Sequence, residues 1–314
     1  MRILVTGVAG FIGSTTAELL VARGDDVIGL DNLSTGDISN VPRGVTLVKA
    51  DIGDAVTIRT LGPFDACIHF AGLIASGESM DVPEMYFENN VGQTMTLLNT
   101  LLSGGLNHFV FSSSAAVYGD VTSSPILEAS PMNPTSPYGA SKAMVEDYVA
   151  WLVRQGKLRA ANLRYFNAAG ATRAHPERHA VETHLIPLAL DAAAAGTPMS
   201  LFGTDYPTPD GTCIRDYVHV LDLARAHVAA VDTLANRESL TVNLGTGVGY
   251  SNREVLRTVE SVTGHDLEVR ELGRRPGDPA TLVASVAAAK EILGWTPQHS
   301  SLEEIVRSAW ESRQ

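Results

Sequence analysis

The chain has 314 residues, 45% of them hydrophobic and 18% charged, with a formal net charge of -12. That is enough apolar material for a large core and too much for a disordered chain, while the acidic balance is wrong for gripping a phosphate backbone, so no nucleic-acid partner is expected. No apolar run reaches the roughly 18 residues of a membrane span, so no membrane is expected either, and the two cysteines, Cys67 and Cys213, show no metal-ligand spacing.

The length suits one large domain with an appendage, or two domains sharing a cleft. The N-terminal MRILVTGVAGFIG lacks the longer apolar core and cleavage pattern of a signal peptide. With two thiols expected to stay reduced, this reads as a cytoplasmic protein. The runs RILVTG (2–7), DVIGLD (26–31), VTLVKAD (45–51), ACIHFAG (66–72) and HFVFSSS (108–114) are apolar without alternation. Strands of a parallel sheet covered by helices on both faces have that pattern. Helical patterns lie between and after them at 11–23, 84–103 and 138–156, and Gly24 and Gly156 are good residues to end two of them. This alternation predicts a doubly wound α/β fold. LRAANLRYF (158–166) and TVNLGTG (241–247) should return to the same sheet. After about residue 165 the texture changes to Gly-, Pro- and Asp-rich loops such as FNAAGA (166–171), FGTDYPTPDGT (202–212) and RRPGDPA (274–280).

TGVAGFIGS places Gly7, Gly10 and Gly13 between the first strand and first helix, with Phe11 and Ile12 between the last two glycines. The first glycine allows a tight turn, the second lets a pyrophosphate approach backbone N–H groups, and the third lets helix and strand pack closely. The pyrophosphate would sit at the positive end of the helix. Asp31, eighteen residues after Gly13 and followed by Asn32, ends the second strand. A carboxylate there accepts from the adenosine ribose hydroxyls and repels a 2′-phosphate. DNLSTGD (31–37) holds no Arg for such a phosphate, so NAD is expected rather than NADP. Asp51 and Ile52 after the third strand should flank the adenine, and Phe70, Ala71 and Gly72 should line the cofactor. The expected architecture is a Rossmann-type NAD-binding domain over 1–165, rejoined by 241–247, with a smaller substrate lobe mainly over 166–314.

YGASK (138–142) puts Tyr138 and Lys142 four apart in a helical stretch opened by Pro137, so both face one side. A phenol titrates near 10 and is a weak base at neutral pH. A nearby ammonium is expected to lower that value, and the same lysine can hold the nicotinamide ribose. A phenolate so tuned takes a proton from a sugar hydroxyl as hydride leaves for the cofactor.

With these features in place, the chain resembles the extended short-chain dehydrogenase/reductase family. AGLIASGES (71–79), FSSSAAVYG (111–119), PTSPYGASK (134–142), LRYFNAAGA (163–171), RRPGDPA (274–280) and, most specifically, DYPTPDGTCIRDYVHVLDLARAH (205–227) resemble its UDP-glucose 4-epimerase branch. The resemblance covers nearly the whole chain. It implies that Ser114 completes a triad with Tyr138 and Lys142, binding the reacting 4-hydroxyl or 4-keto oxygen. Related nucleotide-sugar dehydratases carry an Asp-Glu pair after the hydroxyl residue to eliminate water; here those places are Ala115 and Ala116. What remains is oxidation at C4 followed by return of the hydride, that is, reversible C4 epimerisation of a UDP-hexose, UDP-glucose to UDP-galactose. Another nucleotide-sugar epimerase, such as a UDP-uronate 4-epimerase, and a net NAD-dependent dehydrogenase are the alternatives on the same scaffold.

By the same resemblance Phe166 lies near the nicotinamide, Asn167 contacts the substrate phosphates, Arg215 and Arg275 bind the diphosphate, and Asp278 accepts from the uridine ribose. Two guanidinium groups would let a net-acidic protein hold an anion. Asn89 is expected near the cofactor, with helix capping as the rival role. Asp216 and Asp222 read as structural. His184, beside Leu185, stands where relatives have Asn; binding the ligand and a structural role are both open. Ile74 stands where some relatives have Lys, which removes a cation near the cofactor pyrophosphate. Leu282, smaller than the Tyr of some relatives, points to added activity on UDP-N-acetylglucosamine. A homodimer through 84–103 and 138–156 is the family expectation, although Met95, Leu98, Val145, Val149 and Leu152 could equally be core.

Overall fold

The computed structural model describes residues 1–121, 123–175, 182–275 and 278–314. Its first strands are β1 (Arg2–Thr6), β2 (Asp26–Asp31), β3 (Thr46–Lys49), β4 (Ala66–His69), β5 (His108–Ser114) and β6 (Arg159–Tyr165). They are followed by β7 (Asn167–Ala169), β8 (Met199–Phe202), β9 (Ile214–Arg215), β10 (Tyr217–His219), β11 (Ser239–Leu244), β12 (Tyr250–Ser251), β13 (Val269–Leu272) and β14 (Thr281–Leu282). Seven of these form one parallel sheet in the order β11-β6-β5-β4-β1-β2-β3. Both returning strands join the sheet where the sequence placed them. The order reverses around β1, which creates the crevice where doubly wound sheets bind ligands.

The helices are α1 (Phe11–Arg23), α2 (Ala55–Thr60), α3 (Ser76–Asp81), α4 (Pro83–Phe87), α5 (Thr94–Ser103), α6 (Pro137–Arg154), α7 (Leu185–Ala195), α8 (Val220–Thr233), α9 (Asn252–Thr263), α10 (Ala287–Leu293) and α11 (Leu302–Glu311). The stretch expected as one helix over 84–103 is broken: a π-helical turn, Glu88–Gln93, separates α4 from α5. FNAAGA is not wholly a loop, since Asn167–Ala169 pair with Tyr217–His219. Among the described residues, three small sheets build the second half: β10-β7, β12-β9-β14 and β13-β8.

The boundary near residue 165 is crossed repeatedly by the core. One face of the main sheet packs Ile3, Val5, Ala17 and Leu20 against Leu223, Ala226, Val231, Leu244 and Ala289, so α8, β11 and α10 serve the first half. The other face packs Leu4, Cys67, Phe109 and Phe111 against Leu97, Leu98, Val145, Val149 and Leu152. Those last four are therefore core; Met95 is half-buried. A separate cluster inside the second half joins Ile186, Leu190, Leu201, Val259 and Ile305.

Candidate active site

Because the sheet is parallel, all its carboxyl ends share one edge, and the predicted site residues follow them. The register places Thr6 beside both Leu30 and His69, His69 beside Phe111, and Ser114 beside Tyr165. Gly7, Asp31, Phe70, Ser114 and Phe166 thus emerge along one line.

The glycine loop fits a dinucleotide. Gly7 has φ +70°, and a Cβ there would stand 2.7 Å from the Ala71 nitrogen. A Cβ on Gly13 would stand 2.2 Å from the Gly7 carbonyl oxygen, so α1 could not pack as it does. A Cβ on Gly10 would meet only the Gly7 oxygen, at 3.2 Å, among the described residues. α1 starts at Phe11 without a side-chain cap, leaving its first N–H groups, at Phe11 and Ile12, to an anion. Asp31 is buried, and its carboxylate accepts from the Ala9 amide at 2.9 Å and the Leu33 amide at 2.8 Å; each oxygen keeps a lone pair for a ribose hydroxyl. Asn32 donates to exposed Asp51 at 2.7 Å. The Ile52 side chain is core, which leaves only its backbone to offer a ligand. Phe70 packs on His227, with centroids 4.5 Å apart. A Cβ on Gly72 would lie 3.7 Å from the Lys142 Nζ, so the stretch expected to line the cofactor and the lysine of YGASK are neighbours. Ile74 is exposed.

Ser136 caps α6 by accepting from the Gly139 amide, with Pro137 in the first turn. The Tyr138 amide donates to Ser79 Oγ at 3.2 Å. The Lys142 Nζ donates to the Ser112 carbonyl at 2.9 Å and lies 5.9 Å from the Tyr138 ring centroid. Ser114 accepts from the Ala116 amide at 3.1 Å, and its hydroxyl stands close enough to Tyr138 to favour the ionised phenol. Burial pushes the Tyr138 phenol above its ordinary 10.0, the Ser114 bond working the other way. Burial also lowers Lys142 to about 8, with Glu146 opposing. The expected net lowering of the phenol is thus overturned in the protein alone: desolvation outweighs the Ser114 contact that works against it.

Asn89 sits inside the helical stretch rather than capping it and donates to Asn90 Oδ1 at 2.9 Å. The π turn adds a residue and puts Asn90 on the buried side, where it bonds the Leu73 amide, the Leu73 carbonyl and Ser141 Oγ.

Asn167, His184, Leu185, Arg215, Arg275 and Asp278 line one cavity of about 190 Å³. Arg215 pairs with Asp278 at 3.0 Å, and Arg275 stacks over Phe202 at 3.9 Å from the centroid. Pro276 and Gly277 of the RRPGDPA segment lie outside the described residues. The His184 Nδ1 meets Glu182 Oε1 at 2.7 Å. Asn167 is two residues beyond Tyr165, the register partner of Ser114. Leu282, the partner of Arg215, packs in a cluster with Ala115 and Phe166. Leu282 thus links the strand of Arg215, which lines the cavity, to the cluster beside Ser114. Asp216 and Asp222 are buried and satisfied by backbone and side-chain donors, as structural residues should be.

Comparison with known proteins now bears on this cleft. The NAD dependent epimerase/dehydratase family matches residues 3–245. The chain belongs to that family. Among epimerase/dehydratase members, the UDP-glucose 4-epimerase of Corynebacterium glutamicum is 44% identical over 312 residues, 99% of this chain and 95% of that protein. A UDP-glucose 4-epimerase from Stenotrophomonas maltophila, solved with bound NAD and formylated UDP-arabinopyranose, superposes with a TM-score of 0.96 at 38% identity, covering 100% of this chain and 98% of that one. The enzyme of Brucella ovis in complex with NAD gives a TM-score of 0.95 at 44% identity, covering 99% and 97%. Against this epimerase/dehydratase background the residues that sequence reading missed are the supporting ones: Asn90, Ser79, Phe202, and the pair Glu146 and Arg164. Only Glu146 left a signal, as a carboxylate four residues after Lys142.

Proposed function

We propose that this chain interconverts UDP-glucose and UDP-galactose by inverting C4. The observation that carries the reading is the Ser114–Tyr138–Lys142 set, with a cavity walled by Arg215 and Arg275 joined to it by Leu282, which packs beside Ala115 and pairs with Arg215. NAD, when bound, supplies a hydride acceptor and later donor, together with the positive charge of its oxidised ring. Tyr138 takes the proton of the 4-hydroxyl, and Ser114 bonds the same oxygen as it becomes a carbonyl. Lys142 keeps a positive charge beside them. Ala115 and Ala116 offer no acid or base, so the 4-keto sugar is not dehydrated. Arg215 and Arg275 hold the diphosphate while the sugar turns, spending remote binding energy on retention.

Leu282 supports turnover of the N-acetylated sugars as well. A homodimer is supported by exposed Met85 on α4 and by Met144 and Trp151 on one face of α6. A cytoplasmic location accords with two free, buried cysteines and with the absence, among the described residues, of a helix long and apolar enough to cross a membrane.

The test uses purified protein without added NAD, incubated with UDP-galactose and separately with UDP-N-acetylgalactosamine. Chromatography separates the C4 epimers, and absorbance follows reduced nicotinamide. UDP-glucose appearing without net NADH supports the epimerase. Stoichiometric NADH would make it a dehydrogenase, and no conversion even with NAD would move the reading to another nucleotide sugar. Conversion of the second sugar that falls in Leu282→Tyr supports the open pocket; equal turnover in both proteins rules it out.

A further inference from the structure

Behind the catalytic residues lies a buried ionic network that no step above uses. Register places Ser113 of β5 beside Arg164 of β6. Glu146, two helical turns after Tyr138 on α6, binds both: Ser113 Oγ donates to its Oε1, and Arg164 donates through Nε at 2.9 Å and through Nη2 at 2.5 Å. Arg164 continues to the Tyr118 hydroxyl at 2.9 Å, and Tyr118 donates to Asn243 at 2.7 Å. Glu146 and Arg164 are 4% and 5% exposed. A buried pair of this kind is weak evidence for stability, because well-packed apolar residues of similar volume often serve as well.

The position of the carboxylate is more informative. Lys142 and Glu146 are four apart on α6, both buried, and so on the same face. They grip successive residues of β5: Lys142 the Ser112 carbonyl, Glu146 the Ser113 hydroxyl. The next residue is Ser114. We propose that Glu146 is a positioning residue for Lys142: anchored by Ser113 and Arg164, its carboxylate stands one helical turn beyond the lysine and keeps the ammonium protonated on the Ser112 carbonyl. This rests on the role given to Lys142 above, but its test does not depend on turnover.

The other titratable groups around Lys142 do not supply that anion. On α6 the remaining one is Tyr138, a phenol raised by burial. From β4 comes His69, which burial and then Lys142 lower to about 3, so it is neutral. From β6 come Arg164, a cation, and Tyr165, a phenol pushed far up by burial. β5 presents the Phe111 ring, with Nζ 5.0 Å from its centroid, and serines. Glu78 of α3 is bonded to the Tyr86 hydroxyl of α4. Glu146 is the charge that opposes the desolvation of Lys142.

The chain has four lysines, Lys49, Lys142, Lys157 and Lys290, so selective ¹³Cε labelling gives four resonances, and Lys142→Arg assigns one. The titration midpoint of Lys142 should be at or above neutral in the wild type and fall by about one pH unit or more in Glu146→Gln, the size of effect a close opposite charge has. A one-unit fall cuts the charged fraction at pH 8 about fivefold, and the alkaline limb of kcat should move with it while UDP affinity holds. Glu146→Asp, which keeps the charge on a shorter side chain, should recover part of that fall; general loosening of the fold would not separate Asp from Gln. A wild-type midpoint well below neutral overturns the proposal whether or not the variants fold. So does an unchanged midpoint in folded Glu146→Gln, or a midpoint in Glu146→Asp no higher than that of Glu146→Gln. If Lys142 titrates as expected but no UDP-sugar is turned over, the proposed function fails and this inference stands.

Discussion

Replacing Asp216 by asparagine tests how the sugar-nucleotide side of the cleft is held together. The carboxylate is fully buried. Its Oδ1 accepts from the Thr246 amide and hydroxyl, both at 2.7 Å; its Oδ2 accepts from the Gly247 amide at 3.0 Å and the Ala284 amide at 3.1 Å. An asparagine oxygen can keep only one of these pairs. If it keeps Thr246, its –NH₂ group faces two N–H donors that have no other acceptor nearby, and each buried donor left unpaired costs about 1–3 kcal/mol. The loss is then about 2–6 kcal/mol. Removing a buried charge works the other way, since burial holds this carboxyl above its ordinary range in spite of the four bonds. The lower part of the range, about 2–3 kcal/mol, is therefore expected, a large fraction of a typical 5–15 kcal/mol stability. Urea unfolding followed by tryptophan fluorescence measures it, because Trp295 sits in the main core. UDP affinity should weaken in parallel, as Arg215 and Tyr217 on either side of Asp216 line the cavity. A stability change below about 0.5 kcal/mol with unchanged affinity would show that the four bonds are not what joins these segments.

Tyr138→Phe should lower kcat by about 10²–10⁴-fold while leaving UDP affinity within error; a fully active variant removes Tyr138 from the role of base. Gly13→Ala forces a Cβ to 2.2 Å from the Gly7 oxygen, so α1 must shift, at about 1–3 kcal/mol. Thermal unfolding and NAD titration should both register that, and unchanged values would contradict the close packing. Activity should depend on the Lys142 ammonium, which is lost as pH rises through about 8; kcat/KM should fall on that limb, and a profile flat well beyond it would separate the lysine charge from catalysis.

The parts legible in the sequence are those whose physics is local. Gly7, Gly10 and Gly13 are spaced by the turn they make, Asp31 ends a strand by position, and Tyr138 and Lys142 share a helix face by arithmetic. The strand ends at His108–Ser114 and Asp26–Asp31 match for the same reason, since an apolar run and its polar terminator are read directly. What stayed hidden was made by long-range pairing or by a break in period. Arg164 meets Glu146 only because β6 lies beside β5. Phe202 receives Arg275 from a loop far along the chain. Asn90 rather than Asn89 turns inward because a π turn inserts one residue into a 3.6-residue rhythm. The Tyr138 phenol was misjudged because its titration depends on burial, which helix spacing alone does not reveal.

The placement of β11 has a further consequence, for synthesis. The outer strand of the main sheet beside β6 is made from residues 239–244, and the helix that covers α1 from residues 220–233. A nascent chain that has released only its first 165 residues already carries Gly7, Gly10, Gly13, Ser114, Tyr138 and Lys142. Yet β6 is then a bare parallel edge, and one apolar face of the sheet is open. At about 5–20 residues per second, the ribosome takes several seconds to supply the missing strand and helix. During that interval the glycine loop and the Ser114, Tyr138 and Lys142 side chains are present on a mechanically unfinished sheet, and the exposed edge is where a chaperone would be needed and where truncated products would aggregate.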